Sequence, residues 1–140
     1  MKLYLAHPFR SRVDVRKIEL ELEARLGIEL DNPFYDVKRP DVEAVDTNQK
    51  KAWDCDFKAV VEGDIARIEA ADGIVALLNH ELSIGTIMEI VYAKMAHKVI
   101  FVIDGRGVAG HPWVRYHAKA IFDGWEAFAE YMLENEENVT

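Results

Sequence analysis

Residues 73–103 read GIVALLNHELSIGTIMEIVYAKMAHKVIFVI, two unbroken apolar runs with a helical segment between them. GIVALL and VIFVI lack the alternation of a half-exposed strand and suit strands of a parallel sheet that is covered on both faces. Between them Ile87, Met88, Ile90, Val91, Tyr92, Ala93, Met95 and Ala96 describe a helix that looks buried nearly all round. One carboxylate, Glu89, stands in it, and burying a carboxylate costs free energy unless something compensates.

The alternation extends outward from this unit. KLYLA, VDVRKIELELEARLG, IELDN, a long polar stretch and CDFKAVVEGDIARIEAA precede it; a glycine-rich turn, PWVRYHAKAIF and GWEAFAEYMLEN follow. Strand followed by helix, four or five times, implies an α/β fold with a doubly wound parallel sheet of about five strands and helices on both faces. Gly27 and Gly73 are expected to end the first and second helices, and Asp123 to cap the last. Pro33 to Trp53 is too long and polar for a simple connection and is expected to be a partly ordered lid. No linker divides the chain, so residues 1–140 are expected to form one domain.

A net charge of -8, with 17 basic against 25 acidic side chains, opposes binding to long nucleic acids and leaves room for a small anion held locally. A single cysteine, Cys55, forbids an intrachain disulfide, and no charged-then-apolar leader precedes Lys2. No apolar run approaches the roughly 20 residues that span a bilayer. The expectation is a soluble, cytoplasmic protein without a membrane partner.

Ligands of open parallel sheets collect beyond the carboxyl ends of the strands, and HPFRSR, NPFYD, NHELSIGT and DGRGVAGHPW all follow strands. Glu89 has two readings. With Thr86 it has the spacing of a capping box, in which it would only reach back to an amide of its own helix. Its helical face, Ala93 and Ala96, is however small and uncharged, which suits a carboxylate facing a cavity. Asp64 interrupts the apolar stripe Phe57, Val60, Val61, Ile65, Ile68 of the preceding helix; it is either an edge aspartate satisfied by Arg67 or its neighbours, or a second functional acid. Two carboxylates flanking one strand can divide the work of glycoside chemistry.

Ser83, Gly85 and Thr86 open the helix of Glu89, where free amides and glycine suit a phosphate or a sugar hydroxyl, or an ordinary turn. Arg10, Arg12 and Arg16 follow the first strand and would either clamp a phosphate or simply be solvated. Walker and dinucleotide motifs are absent, and His7, His80, His97, His111 and His117 show no metal-ligand spacing, so neither a metal nor another cofactor is expected. Asp54 and Asp56 would raise the pKa of Cys55 and make it a poor nucleophile. Phe34, Tyr35, Trp53 and Trp113 would stack on a base or pack in the core.

YLAHPF, EGDIARIEAADGIVALL, and a small-residue turn followed by Glu and YA together resemble the nucleoside 2-deoxyribosyltransferase family and its nucleotide-hydrolysing relatives, the 2'-deoxynucleoside 5'-monophosphate N-glycosidases. The resemblance runs from Lys2 to about Lys98. It implies a flavodoxin-like sheet. Glu89 would be the nucleophile of a covalent glycosyl-enzyme intermediate, Tyr4 the residue orienting it, and Asp64 an aspartate that holds the sugar or moves a proton. His7, Phe9 and Arg10 would line the substrate, with Ser83, Gly85 and Thr86. Homo-oligomers whose sites are completed by a neighbouring subunit are also implied, which suggests GHPWVRY, with His111, Trp113 and Arg115, as the segment given in trans. Members acting on free nucleosides usually carry Asp six residues before the nucleophile. Ser83 stands there, as in the monophosphate hydrolases, and a hydroxyl removes a repulsion that would exclude phosphate.

The expected activity is cleavage of the N-glycosidic bond of a (deoxy)nucleoside or its 5'-monophosphate, with transfer to another base or to water. The rival is a nucleotide-binding module of the same fold without turnover. A phosphoacceptor domain would need acids after the first and third strands, where His7 and Asn79 stand.

Overall fold

The computed structural model describes residues 1–36, 56–80 and 83–135. Its five strands, β1 (Lys2–Ala6), β2 (Glu29–Asp31), β3 (Gly73–Leu78), β4 (Val99–Asp104) and β5 (Ala120–Phe122), form one sheet in the order β2-β1-β3-β4-β5. All four pairings are parallel. The helices among the described residues are α1 (Arg12–Leu26), α2 (Phe57–Ala70), α3 (Ile84–Met95), α4 (Pro112–His117) and α5 (Trp125–Glu134). The order reverses at β1, whose neighbours are β2 on one side and β3 on the other. Right-handed crossovers to opposite sides put helices on both faces, so the sheet is doubly wound and flavodoxin-like.

Side chains alternate between the faces, and both faces are buried, which is why the strands read as continuous apolar runs. Leu3, Leu5, Val75, Leu77, Phe101 and Ile103 pack with Val15 and Leu22 of α1 and Phe128 and Met132 of α5. Tyr4, Ala6, Ile74, Ala76, Ile100 and Val102 pack with Ile68 of α2 and with Ile90 and Ala93 of α3. Among the described residues no helix is long and apolar enough to cross a membrane.

Several local expectations need correction. Gly27 does end α1, at φ 66°. Gly73 does not end a helix: α2 stops at Ala70 and Gly73 begins β3, where a Cβ would lie 2.3 Å from Cγ1 of Val99 and 2.6 Å from its carbonyl oxygen. Glycine is required there by the approach of β4. Gly124, not Asp123, precedes α5. Nor is α3 buried all round, since Ile84, Met88 and Met95 are 76%, 67% and 75% exposed. In α2 only Ile68 of the apolar stripe is fully buried, while Phe57 and Val61 face outward. Of the expected lid, Pro33–Asp36 form a turn closed by amides of Tyr35 and Asp36 on the Asn32 carbonyl. The remainder, with Trp53 and also Cys55, lies outside the described residues.

The helix α3 ends in a Schellman motif, with Lys98 N–H on the Ala93 carbonyl at 2.9 Å and His97 N–H on that of Lys94 at 3.1 Å. The left-handed position is filled by His97 at φ 60°. A Cβ is strained there, so His97→Gly is expected to stabilise the protein by roughly 0.5–1 kcal/mol, read as a higher urea midpoint. A lower midpoint would contradict the motif.

Candidate active site

Tyr4 lies in the middle of β1 on the face covered by α2 and α3, and is 0% exposed. Its hydroxyl donates to Oε2 of Glu89 on α3. The helix begins at Ser83, whose Oγ accepts the Thr86 amide hydrogen at 3.3 Å. Ser83 is therefore the cap, and Thr86 sits inside the first turn, buried. A capping box would need its acid at position 86, so the Thr86–Glu89 spacing is not how this helix starts.

Glu89 and Asp64 line one cavity of about 220 Å³ between α2 and α3. Its other walls are Val61, Ile65 and Ile68 of α2 and Gly85, Met88 and Tyr92 of α3. The cavity explains why the stripe of α2 is open to the outside: Val61 and Ile65 face this space rather than a closed core. Arg67 is ion-paired with Asp31 at the end of β2. Tyr92 donates to Oε1 of Glu69, which ties α3 to α2, and Lys98 Nζ donates to the Glu69 carbonyl at 2.8 Å. The hydrogen bond to this carboxylate, with some burial, raises the Tyr92 phenol above its ordinary pKa.

The turn after β1 is a single 3-10 turn, Phe9–Ser11, with Arg10 exposed on it. Phe9 meets Phe34 edge to face at 5.5 Å, and the Arg12 guanidinium lies 3.9 Å over the Phe9 ring. His7 is buried, its Nε2 3.1 Å from Oδ1 of Asn32 and its Nδ1 3.2 Å from the Pro8 carbonyl. Asn32 Nδ2 donates in turn to Glu19 at 3.0 Å. Burial raises the Glu19 carboxyl, against the hydrogen bonds it receives from Asn32 and Arg16. Arg16 bonds both Glu19, at 3.0 Å, and Asp36, at 3.2 Å. Of the three arginines read as a rim, Arg16 is thus committed to carboxylates of the protein.

His111 and Trp113 belong elsewhere. His111 precedes α4 and accepts the Trp113 amide hydrogen on Nδ1 at 3.2 Å. Trp113, 69% exposed, stacks on His117 with ring centroids 5.9 Å apart. With Pro112, Tyr116 and His117 it lines a second hollow of about 580 Å³. Within one chain, then, Asp64, Gly85 and Glu89 line one cavity, Tyr4 reaches it through its bond to Glu89, Ser83 and Thr86 stand at the start of α3, and His7, Phe9 and Arg10 follow β1. His111 and Trp113 do not line that cavity. The sequence reading missed Tyr92, Met88 and Ile65 as cavity walls. Tyr92 was detectable as the residue three positions beyond Glu89, and so on the same helical face.

The chain superposes on a 2-deoxyribosyltransferase from Bacillus psychrosaccharolyticus, with a TM-score of 0.68, covering 92% of this chain and 90% of that one at 17% identity. It also superposes on the CMP N-glycosidase BcmB of Clostridium botulinum, with a TM-score of 0.58, covering 94% of this chain and 98% of that one at 16% identity. The chain shares their fold. No protein-family model matches it, and no curated protein does.

The turn after β4 is organised by one carboxylate. Asp104 accepts amide hydrogens from Arg106, Gly107, Val108 and Ala109 at 3.2, 2.9, 3.0 and 2.8 Å. Burial raises the Asp104 carboxyl, but these four amides outweigh it and hold the group below its ordinary pKa. A depressed pKa in the folded state contributes stability above the unfolded value, about 3.9, and loses it as pH falls through the folded value. Asp104→Ala is therefore expected to cost about 1–3 kcal/mol at pH 7, with the gap to wild type narrowing below about pH 4 in urea titrations.

Proposed function

We propose that this chain is a member of the nucleoside 2-deoxyribosyltransferase family, in its broad sense that includes the 2'-deoxynucleoside 5'-monophosphate N-glycosidases. It cleaves the N-glycosidic bond of a (deoxy)nucleoside or its 5'-monophosphate. The observation that carries this is the hydrogen bond from the buried Tyr4 phenol to Glu89, a carboxylate that lines one cavity with Asp64. A nucleotide-binding module has no need of a carboxylate oriented in this way. The two superposed enzymes, by their names, act on such bonds, and the sequence motifs point the same way.

In this reading an Oε of Glu89 attacks C1' as the C1'–N bond breaks through an oxocarbenium-like transition state. The bonding electron pair leaves with the base nitrogen, which takes a proton from Asp64 or from water. Tyr4 holds the Glu89 carboxylate in line. Water or a second base then attacks C1', the glycosyl ester breaks, and Glu89 recovers its charge. Water gives hydrolysis and an acceptor base gives transfer, and each gives up one proton, to Asp64 where that group protonated the departing base and otherwise to solvent. Ser83 at the start of α3 and Arg10 on the first turn would receive a 5'-phosphate, which favours the monophosphate.

The functional unit is a homo-oligomer. Ile84, Met88 and Met95 of α3 and Trp113 and Tyr116 of α4 are exposed apolar side chains of the kind that a partner subunit covers. A second copy covering that surface would bring its own α4 segment to the site. Light scattering is expected to give at least a dimer, with Met95→Glu shifted towards monomer; a monomeric wild type would remove this part.

Incubation with a panel of deoxynucleosides and their 5'-monophosphates, with and without an acceptor base, tests the chemistry. Free base without acceptor means hydrolysis, and a new nucleoside means transfer. Glu89→Ala is expected to lose about 10³-fold or more in kcat, and Tyr4→Phe about 10-fold or more. If wild type releases nothing yet binds a nucleotide tightly, the chain is a binding module instead.

A further inference from the structure

Ser11 ends the 3-10 turn that runs directly into α1, and its backbone is already helical (φ -89°, ψ 0°), so its hydroxyl does not stand where a cap accepts an amide hydrogen of the helix. Its Oγ makes no such bond. It accepts instead from Nδ2 of Asn79, 68 residues away, at 2.7 Å. Ser11 closes the turn after β1 and Asn79 follows β3. Their bond therefore spans the crevice between the two strands at which strand order reverses, the place where open sheets of this type bind ligands.

Both ends of this bond are braced. Arg106 Nη1 donates to the carbonyl oxygens of Asn79, at 3.3 Å, and His80, at 3.0 Å. Arg106 itself belongs to the turn that Asp104 gathers, and Gly105 N–H meets the Leu78 carbonyl at 2.6 Å. On the other side the Ser11 amide donates to the Pro8 carbonyl at 3.0 Å, and Arg12 Nη1 to that of Phe9 at 3.2 Å. A continuous line of polar contacts thus runs from the end of β4, past β3, to the turn that carries Phe9 and Arg10.

We propose that Asn79 and Ser11 are a positioning pair, whose bond fixes where the Phe9–Arg10 turn stands against the crevice and thereby sets how well Arg10 meets a substrate's 5'-phosphate. The second half rests on the proposed function; the first half does not. Neither residue needs to touch the reacting atoms.

The test uses wild type, Ser11→Ala, Asn79→Ala and the double variant. Amide hydrogen exchange of residues 9–12 is expected to be about tenfold faster in each single variant and no faster in the double, because either change removes the same bond. For deoxynucleoside 5'-monophosphates KM is expected to rise about tenfold with kcat held within about twofold, while unphosphorylated nucleosides show no such change. Ser11→Thr, which keeps the acceptor, should restore both. Unaltered exchange in the single variants overturns the pair whatever the activity. Faster exchange with equal KM changes for phosphorylated and unphosphorylated substrates overturns the link to phosphate. If wild type cleaves neither, the proposed function fails while the exchange measurement still decides the pair. Should Asn79→Ala not fold, Ser11→Ala removes a single oxygen and carries the test.

Discussion

The hydrogen bond from the Tyr4 hydroxyl to Glu89 ties the middle of β1 to α3. A buried hydroxyl without a partner costs about 1–3 kcal/mol, and a half-buried carboxylate needs a donor even more. Tyr4 is held in place, because β1 is paired on both sides, with Tyr4 opposite Asp31 of β2 and Ile74 of β3. Glu89 comes to the strand to accept from it. With that bond in place, α3 turns Ile90 and Ala93 into the core, Glu89 stands over β1, and Met88 and Tyr92 wall the cavity.

The second wall is held by equally specific ties. Arg67 anchors α2 to Asp31 at the end of β2, and Glu69 receives the Tyr92 hydroxyl from α3. Asp64 lies one turn before Arg67, so its height above the sheet follows from that anchor. The ion pair and the tyrosine–carboxylate bond together fix α2 against both the sheet and α3. An acid on each helix can then face a common space without the two helices closing it.

The fold was legible because a parallel sheet covered on both faces leaves a pattern that little else produces. GIVALL and VIFVI identify β3 and β4, and KLYLA coincides with β1. The three-residue β5 was concealed, running on from α4 in PWVRYHAKAIF without a break in composition. Glu89 and Asp64 stood out as charges in apolar patterns, and the structure brings both to one cavity. What the pattern could not convey was direction. The stripe of α2 and the apolar sequence of α3 were read as core, whereas Phe57, Val61, Met88 and Met95 face outward, because hydrophobicity marks surface to be covered without saying by what. The bond between Ser11 and Asn79 was invisible for a different reason, since it depends on partners brought near only by the pairing of β1 with β3.

The edge strands β2 and β5 are only three residues long. Unpaired amides and carbonyls on a sheet edge invite strands of other chains, and shortness is one way in which natural sheets withhold that template. Here the long strands β1, β3 and β4 occupy the interior, and little open ladder is left at either margin. Chains packed at high concentration would therefore meet through their helical faces in preference to joining sheets, which protects against runaway cross-β growth.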